Sequence, residues 1–449
     1  MIFDCATFGD LFAAPQRNGL TRPKKVRGSG LPMVNMGELF AHPRIKNISM
    51  DLVPVDDKEH HYILKEGDLL FARQSLVLSG AGQCSIFMGN TASTVFESHL
   101  IRCRLTLNKS NPLFYFYFFR SPQGRKVIEA IVEQGAGASG IRGSDLVKVL
   151  VPNPPKQIQD KVAEILGAID DQIALLFETN STLEAIGQAL FKSWFADFDP
   201  VRAKSEGRSP AGLGDATAAL FPDEFEVTEL GVSPKGWVVS AVGDVAEVVK
   251  GKSYSSKDLV ENHKTALVTL KSFERGGGFR MDGFKPYAGT YKLTQVVNSG
   301  DLIVAYTDVT QAAELIGKPA IVVSVEEHDT LVASLDVGIV RPDVSKCGRQ
   351  FLYGLFKTDA FQSHTFAYTS GTTVLHLSKD AIGSYRFLLP PVELINKFEE
   401  ITSALADRRQ TNIDEVRSLS ALRDTLLPRL ISGQQKIAED KAEFEKVMA

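Results

Sequence analysis

A glycine-rich segment is the first place in the chain where residue types and spacing suggest chemistry. Gly135-Ala136-Gly137-Ala138-Ser139-Gly140 fits the pattern G-x-G-x-x-G, which could hold a dinucleotide or S-adenosylmethionine. Such a loop needs a strand before it and a helix after it. The preceding letters, GRKVIEAIVEQ, predict a helix, and the following ones, IRGSDLVKVLV, predict an extended segment. We therefore interpret the segment as a flexible loop rather than a cofactor site.

A second segment, Asn153-Pro154-Pro155-Lys156, resembles by letter the loop with which adenine methyltransferases hold their target amine. That loop ends in an aromatic residue that stacks on the base, whereas this one ends in Lys156. The corresponding letters later in the chain are Leu389-Pro390-Pro391-Val392, which contain neither acid nor amide. Two prolines that open a helix account for both copies.

Other catalytic signatures are missing from the sequence. It contains no Walker A motif, paired His-Cys ligands, nucleophile elbow or nuclease-type carboxylate-lysine motif. His60-His61 lacks a carboxylate framework and predicts a solvated loop. The aromatic run Phe114 to Phe119 could stack bases. Because it has no interleaved cations, and because Phe351 to Phe356 repeats its apolar character, we predict that both runs lie in a core.

Cationic and polar side chains are better candidates, and the chemistry they suggest is nucleic-acid binding. Lys and Arg neutralise phosphates, and Arg can donate two hydrogen bonds to guanine. A solvated surface loop explains any single one of them equally well. The first candidates form a stretch without acidic residues: Arg17, Arg22, Lys24, Lys25 and Arg27. Lys250, Lys252 and Lys257 cluster at the corresponding place in the second half.

Further candidates occupy matched positions at the ends of predicted strands. In each half a Gly-Asp turn, Gly67-Asp68 or Gly300-Asp301, leads into an apolar strand. Polar side chains there could contact base edges, and their different chemistry would give the halves different targets. The residues that follow the two strands are Arg73, Gln74 and Ser75 in one half and Tyr306, Thr307 and Asp308 in the other. Arg142 and His376, which follow the glycine-containing loops, complete the set.

These matched positions belong to an internal repeat. The segments from Pro155 to Phe195 and from Pro391 to Ile431 share one pattern at a constant separation, so that Ile158 matches Leu394 and Val162 matches Phe398. Apolar residues recur at alternating steps of three and four, which predicts two long helices with a coiled-coil seam. Gly433 suits the end of the second helix. The fold prediction is α/β (α+β), with an internal pseudo-twofold repeat.

The bulk composition limits the function classes. The chain has 449 residues, of which 44% are hydrophobic and 23% charged, so we expect more than one globular domain. A net charge of −4 argues against a free-standing binder of nucleic acid without sequence preference. The four cysteines show neither pairing nor metal-ligand spacing, which favours a cytoplasmic protein without structural disulfides. No membrane association is expected, because no apolar stretch approaches about 20 residues.

The repeat and the composition together predict the domain organisation. A Gly-, Pro- and charge-rich linker with a few apolar anchors separates the two halves. The predicted divisions are residues 1–152 (first domain), 153–198 (first spacer helix), 199–234 (linker), 235–388 (second domain), 389–433 (second spacer helix) and 434–449 (charged tail).

Three longer segments resemble a known family. ALFKSWFADFDPVRAKSEGR, LFPDEFEVTELGVSPKGW and LRDTLLPRLISG are similar to the specificity subunit of type I restriction-modification systems, and the resemblance covers essentially the whole chain. It implies two target recognition domains that each read half of a bipartite sequence in double-stranded DNA. It also implies that the spacer helices pack as an antiparallel coiled coil. The first domain departs by opening at MIFDCATFGDLF, without the tryptophan that opens the second at Trp237.

The resemblance further implies partners and a role without catalysis. Two modification subunits, which methylate adenine, would dock on the spacer helices, and restriction subunits would join through them. This chain would bind no cofactor, while S-adenosylmethionine, ATP and Mg²⁺ would belong to the partners. A structural scaffold or an orphan regulator that no longer reads DNA is the alternative. A self-sufficient methyltransferase is disfavoured, because a cofactor loop and a catalytic loop are both lacking.

The seam of the helices carries one specific expectation. Antiparallel packing about the helix middles would place Asn180 near Asn412. A polar pair inside an apolar seam fixes the register of coiled coils. We therefore predict that these two asparagines set the register and, through it, the spacing between the two recognised half-sites.

Overall fold

The computed structural model describes residues 3–135, 137–310 and 312–434. It divides into two compact units, one holding the described residues up to Leu175 together with those from Glu415 onwards, and the other spanning Leu176–Asp414. The predicted charged tail, apart from Gln434, lies outside the described residues. Within these residues no helix has the length and apolar character needed to cross a membrane.

The first domain is built on a five-stranded sheet. At one edge of this sheet the strands Arg44–Ile45 and Cys84–Phe87 run parallel. The other pairs of neighbouring strands in the sheet run antiparallel. In spatial order the strands are Phe12–Asn18, Leu100–Leu105, Leu69–Ala72, Cys84–Phe87 and Arg44–Ile45. A smaller sheet contains Asp51–Val53, Leu31–Val34 and Val95–Phe96, and another contains Glu133–Gly135, Ala138–Gly140 and Gln74–Ser75. The strands Cys5–Thr7 and Leu150–Pro152 form a two-stranded sheet. The α-helices are Met36–Ala41, Pro112–Arg120, Pro122–Glu129 and Gly143–Leu146.

The second domain repeats this topology. Its central sheet holds Ala246–Lys250, Val337–Pro342, Leu302–Ala305 and Pro319–Ile321 in that order, and lacks a counterpart of the fifth strand. The other sheets are Lys285–Pro286, Thr265–Val268, Thr330–Ala333 and Val296–Val297; Thr307–Asp308, Leu375–Leu377 and Thr369–Ser370; and Val238–Ala241 with Arg386–Leu389. Its α-helices are Val242–Val245, Arg349–Phe356 and Asp359–Ala367.

The repeated Gly-Asp turns have a structural role. Asp68 is fully buried, accepts a hydrogen bond from the Lys65 backbone N–H, and binds the Arg104 guanidinium through both carboxylate oxygens, at 2.7 and 2.6 Å. Asp301 accepts from the Asn298 backbone N–H in the same way and lies 3.6 Å from Arg341. Each aspartate therefore closes the turn into its strand and ties that strand to its neighbour.

The two aromatic runs lie in helices that belong to the core, as predicted. Phe114 to Phe119 are all buried in the helix Pro112–Arg120. Phe351 to Phe356 are buried in the helix Arg349–Phe356. The helix N-termini are held by the long helix that follows each domain: Gln159 accepts from the Asn111 backbone N–H at 2.8 Å, and Glu399 accepts from that of Phe351 at 2.7 Å.

The two long helices begin and end close to the predicted positions. The first spans Lys156–Phe191 and continues as a wider π-helical turn, Lys192–Ala196. The second spans Val392–Ser432 and ends at Gly433, whose φ of 75° suits glycine. Pro155 and Pro391 accept the first helical hydrogen bonds, from Ile158 and Leu394.

Segments of the two long helices pack antiparallel within each unit. In the first unit Asp170 of the first helix pairs with Arg423 of the second at 3.0 Å, and Gln172 donates to Glu415 at 3.3 Å. In the second unit Glu184 pairs with Arg409. Higher residue numbers on one helix thus meet lower numbers on the other, as predicted.

A tyrosine fastens each domain to these helices. Tyr117 donates to Asp170 at 2.7 Å, and Tyr353, at the equivalent place in the repeat, donates to Glu184 at 2.8 Å. Both carboxylates lie on the first helix, and each pairs with an arginine of the second helix, Arg423 or Arg409. In one unit the acid therefore comes from the helix that follows the domain, and in the other from the opposite helix.

The linker is ordered in places, as expected. It contains the α-helices Asp199–Ser205 and Asp215–Ala218 and the hairpin of Phe225–Thr228 with Gly231–Pro234. Buried aromatic rings anchor it, with Trp194 and Phe221 centred 5.2 Å apart. Trp237 belongs to the same core cluster. In the first unit, which has no such tryptophan, Phe3 lies against Gly433 at the end of the second helix.

Candidate nucleic-acid interface

A small hairpin sheet brings several sequence candidates of the first domain together. Gln74 pairs with Gly140, and Ser75 pairs with Ser139. The Arg73 backbone N–H donates to the His99 carbonyl at 2.8 Å, and its carbonyl accepts from the Ile141 N–H at 2.9 Å. Arg73 and Gln74 are exposed. The strand end, the hairpin and the turn before residue 142 thus form one surface, which we call the first hairpin surface (residues 73–75, 133–135 and 137–142).

Two more candidates lie on or beside this surface. Arg142 is exposed and pairs with Glu133 of the hairpin at 2.7 Å. Arg17 is exposed, and its strand partner is Arg102 in the strand that also pairs with Leu69–Ala72. The guanidinium of Arg17 lies 5.4 Å from the centre of the Tyr62 ring. Arg142 is therefore partly neutralised within the protein, whereas Arg73 has no charged partner among the described residues.

The rest of the basic stretch divides into structural and exposed cations. Arg22 donates to the Pro54 carbonyl at 2.9 Å and pairs with Glu59 at 2.5 Å, while Arg27 pairs with Asp51 at 2.6 Å. The hydrogen bond from Arg22 lowers the pKa of Glu59 below its ordinary value. Lys24 and Lys25 are exposed on a 3₁₀ turn. Of this stretch, Lys24 and Lys25 are best placed to meet phosphates.

The structure corrects the expectation for Tyr306 and Thr307. Their side chains are buried rather than exposed at a strand end. Burial raises the pKa of Tyr306 to about 12, and its ring belongs to the core cluster of the second unit. The strand Thr307–Asp308 pairs with Leu375–Leu377, and Tyr306 shares its core cluster with Phe361 and Leu377. These two side chains do not present polar groups to a polymer at the surface.

Asp308, the third residue of that set, organises a loop. It is fully buried and accepts hydrogen bonds from the backbone N–H groups of Thr310, Leu315 and Ile316, at 2.6, 2.6 and 2.9 Å. Burial acts to raise its pKa, but these hydrogen bonds outweigh burial and hold the pKa below its ordinary value.

The remaining candidates of the second domain lie at its surface to different degrees. His376 is exposed on the hairpin and is the strand partner of both Thr307 and Ser370. We call this region the second hairpin surface (residues 306–309 and 369–377). Lys250 is exposed at its strand end, and Lys257 is exposed on a 3₁₀ turn. Lys252 is half-buried, and its backbone N–H donates to the Ala333 carbonyl at 2.7 Å.

Sequence reasoning missed the apolar side chains that adjoin both hairpin surfaces. Leu76, Val77 and Leu78 are exposed directly after Ser75, and Val309 is exposed directly after Asp308. Phe366 and Tyr368 are exposed beside the second hairpin. Their positions in the repeat could have identified them, because Leu76 and Val309 are separated along the sequence by as many residues as the two Gly-Asp turns.

The seam of the long helices contains the predicted asparagine contact. The Asn412 side-chain amide donates to the Asn180 carbonyl oxygen at 2.7 Å. Asn412 is fully buried, and its own carbonyl oxygen has no hydrogen-bond partner among the described residues. The contact is present, whereas its role in setting register stays a prediction.

The segments that resembled catalytic loops have structural settings here. Glu133–Gly135 and Ala138–Gly140 form an exposed hairpin between the helix Pro122–Glu129 and the helical turn Gly143–Leu146. The expected extended segment after it is therefore wrong for residues 143–146. Asn153 accepts from the Tyr115 hydroxyl at 3.4 Å. Within residues 3–135, 137–310 and 312–434, no group of three or more His, Cys, Asp or Glu side chains could hold a metal ion.

Comparison with known proteins agrees with this repeated architecture. The family model described as "Type I restriction modification DNA specificity domain" matches residues 7–185 and 234–409, which is most of the chain. The type I restriction enzyme HindI specificity subunit of Haemophilus influenzae is 25% identical, over 89% of this chain and 93% of that protein. The MjaIX specificity subunit of Methanocaldococcus jannaschii is 26% identical, over 73% and 69%. The crystal structure of an S subunit from M. genitalium shares the fold, with a TM-score of 0.55, 14% identity and 97% coverage of both chains.

Proposed function

The chain belongs to the family of type I restriction-modification DNA specificity subunits, and we propose that it reads a bipartite target in double-stranded DNA, one half through each domain. One observation carries this proposal. The central sheets of the two domains share four strands in the same order, and each domain has a hairpin sheet at the matched place, yet the exposed side chains there differ. Arg73 and Gln74 are exposed in the first domain, whereas the matched Tyr306 and Thr307 are buried. His376, the strand partner of Thr307, is exposed where the first domain has Gly140. One scaffold with two different surfaces suits two different half-sites.

The charge distribution fits a subunit that binds DNA as part of a complex. The net charge of −4 gives little long-range attraction to phosphates. Cations are nevertheless exposed in the first domain, Arg73 on the first hairpin surface and Arg17, Lys24 and Lys25 on other elements. Partner subunits would supply the remaining positive surface around the duplex.

The long helices are the proposed docking sites for partners. Two copies of one helical pattern suggest two equivalent sites, and hence two modification subunits for each specificity chain. Restriction subunits would join through the modification subunits. In this scheme S-adenosylmethionine, ATP and Mg²⁺ bind to the partners, this chain is non-catalytic, and the complex works in the cytoplasm.

The alternative is a structural scaffold or orphan regulator that no longer reads DNA. Sequencing DNA from cells that carry this chain with its modification partner would separate the two. Methylated adenines in one bipartite sequence, absent when this chain is removed, would support the proposal. Normal assembly with the modification subunit but no sequence-dependent methylation would favour the scaffold.

A further inference from the structure

In each domain an aliphatic side chain is exposed in the loop that follows the polar strand end. In the first domain the loop spans residues 75–82, and Leu76 is 89% exposed. In the second its described residues are 308–310 and 312–317, and Val309 is 63% exposed. Single exposed apolar residues are ordinary on protein surfaces. The same feature at the same place in two domains with different sequences calls for a common cause.

The two loops close in the same way. The Gly82 backbone N–H donates to the Ala72 carbonyl at 2.8 Å, and the Gly317 N–H donates to the Ala305 carbonyl at 2.9 Å. Both glycines have positive φ, 66° and 72°. A Cβ atom at Gly82 would lie 2.4 Å from Ile128, and one at Gly317 would lie 2.4 Å from Thr365. Each loop therefore returns tightly against a helix of its domain, Pro122–Glu129 in the first and Asp359–Ala367 in the second.

Different side chains brace the two loops. In the first, the Arg125 guanidinium donates to the Ser79 carbonyl at 3.1 Å, and the Ser75 hydroxyl accepts from the Val77 N–H at 3.2 Å. In the second, the Asp308 carboxylate binds the loop amides, and the Thr310 hydroxyl accepts from the Glu314 N–H at 2.9 Å. The loops are thus fixed by unrelated contacts that produce one outcome, an aliphatic side chain beside the hairpin surface.

The surroundings indicate what this side chain meets. Leu76 follows the polar residues Arg73 and Gln74, and Val309 follows a strand that pairs with exposed His376. Cations or hydrogen-bonding groups next to one aliphatic group match the edge of a base pair, where a thymine methyl lies beside polar atoms. An aliphatic side chain can also enter a base step as a wedge.

Resting on the proposed function, we propose that Leu76 and Val309 are specificity-determining residues that make the apolar contact to the bases of their own half-sites. Leu76 acts on the half read by the first domain, and Val309 on the half read by the second. Because both loops are braced, the contact is pre-formed and little ordering accompanies binding.

The test uses the complex of the full chain with its modification subunit and duplexes that carry the mapped target. Leu76→Ala should weaken binding about tenfold, which corresponds to loss of a few buried methyl and methylene groups. It should also relax discrimination in the first half-site only. Val309→Ala should do the same in the second half-site. Leu107→Ala and Val344→Ala, which truncate equally exposed aliphatic residues elsewhere in each domain, should leave both readouts unchanged.

Base analogues then identify the contact. Replacing a thymine of the first half-site by deoxyuridine should weaken wild-type binding but not binding by the Leu76→Ala variant, if the methyl is the contact. Two results together would overturn both the methyl contact and the wedge in a base step. The first is an equal loss of affinity in the wild type and the Leu76→Ala variant at every thymine that is replaced. The second is that the fluorescence of 2-aminopurine placed in the half-site does not change in a way that depends on Leu76.

Failure of this inference differs from failure of the proposed function. Wild-type affinity and discrimination in both alanine variants would overturn the inference alone. Loss of the modification subunit from the Leu76→Ala complex in native mass spectrometry would also overturn it, because the loop would then be a protein docking surface. Absence of sequence-specific binding by the wild-type complex would instead overturn the proposed function.

Discussion

At the scale of single residues, the clearest feature is the polar contact inside an apolar helix seam. Asn412 is fully buried and donates to Asn180, while its own carbonyl oxygen stays without a partner in the described part of the chain. An unsatisfied buried acceptor costs free energy. The pair therefore makes the seam less stable than an apolar pair would. Its proposed role is to specify a single register of the two helices.

A double-mutant cycle tests this contact. Asn180→Leu should lower the free energy of unfolding by about 1–3 kcal/mol, because it leaves the buried Asn412 amide without an acceptor. Adding Asn412→Leu should recover most of that loss, giving a coupling of about 1 kcal/mol or more. Urea unfolding would measure both, with Ser181→Ala as the control at an exposed neighbouring position. Additive effects of the two substitutions would contradict the coupling.

Glu184 gives a second residue-scale prediction, on pH. Burial acts to raise its pKa, but Arg409 and Lys357 outweigh burial and hold the pKa below its ordinary value. A depressed folded-state pKa gives stability that is present above the unfolded value, about 4.3, and is lost as pH falls through the folded pKa. Glu184→Gln should remove about 2–3 kcal/mol at pH 7 and flatten this acid dependence.

Thermal unfolding between pH 3 and 7 would check this expectation about the unfolding free energy. Glu178→Gln, an exposed carboxylate on the same helix, is the matched control and should behave like the wild type. An acid dependence that persists unchanged in the Glu184→Gln variant would show that other carboxylates produce it.

The sequence predicted the residues of the interface only in part, for a physical reason. Whether a side chain at a strand end is exposed depends on the elements that pack over it. The alternation of polar and apolar residues along the strand does not reveal those elements. Arg73 and Gln74 end a strand at the surface, whereas the matched Tyr306 and Thr307 are covered. Conversely, Leu76 was not among the sequence candidates, which were all cationic or polar, yet its side chain is exposed in the loop after the strand end.

At the scale of elements, the long helices were predictable because their apolar spacing extends over many turns. The first was predicted from residue 153 and begins at Lys156, and the second was predicted from residue 389 and begins at Val392. Short elements such as the turn Gly143–Leu146 were missed, since four residues carry no periodicity. The sequence also did not predict that Tyr117 and Tyr353 both donate to carboxylates of the first helix. These contacts depend on how the antiparallel helices face each domain.

The helices should act as a ruler between the half-sites. Each helix runs unbroken across the boundary between the two units, at Leu175 in the first and Asp414 in the second. Inserting four residues after both positions, close to one turn, lengthens each helix by about 6 Å. The gap between half-sites should then grow by one or two base pairs, at roughly 3.4 Å each, while the half-sites stay unchanged.

Methylation mapping reads out this insertion. Insertion of four residues into the first helix alone is the control. It should abolish sequence-specific methylation, because the apolar positions of the two antiparallel helices then no longer face each other. A double insertion that preserves methylation with the original gap would show that the helices do not set the distance.

At the scale of the whole molecule, the division of the chain into domains and separate spacer helices stays a prediction. Each compact unit contains one domain together with about half of both long helices. The reason is that a helix with one apolar face buries it against the other helix, and that pair is then held by the nearest domain through Tyr117 or Tyr353. Periodicity along one helix reveals its apolar face but not its partner.

The repeat also predicts the stoichiometry of assembly. Two copies of the helical pattern should bind two modification subunits for each specificity chain. Native mass spectrometry of the complex at saturating modification subunit would measure this ratio. A single bound subunit at saturation would show that the two copies are not equivalent docking sites.

The most direct test of the central claim is exchange of one domain. Residues 1–152 would be replaced by the equivalent domain of another specificity subunit, and methylated adenines would be mapped by sequencing. The account predicts a new first half-site, with the second half-site and the gap retained. A target changed in both halves, or not changed at all, would contradict independent reading by the two domains.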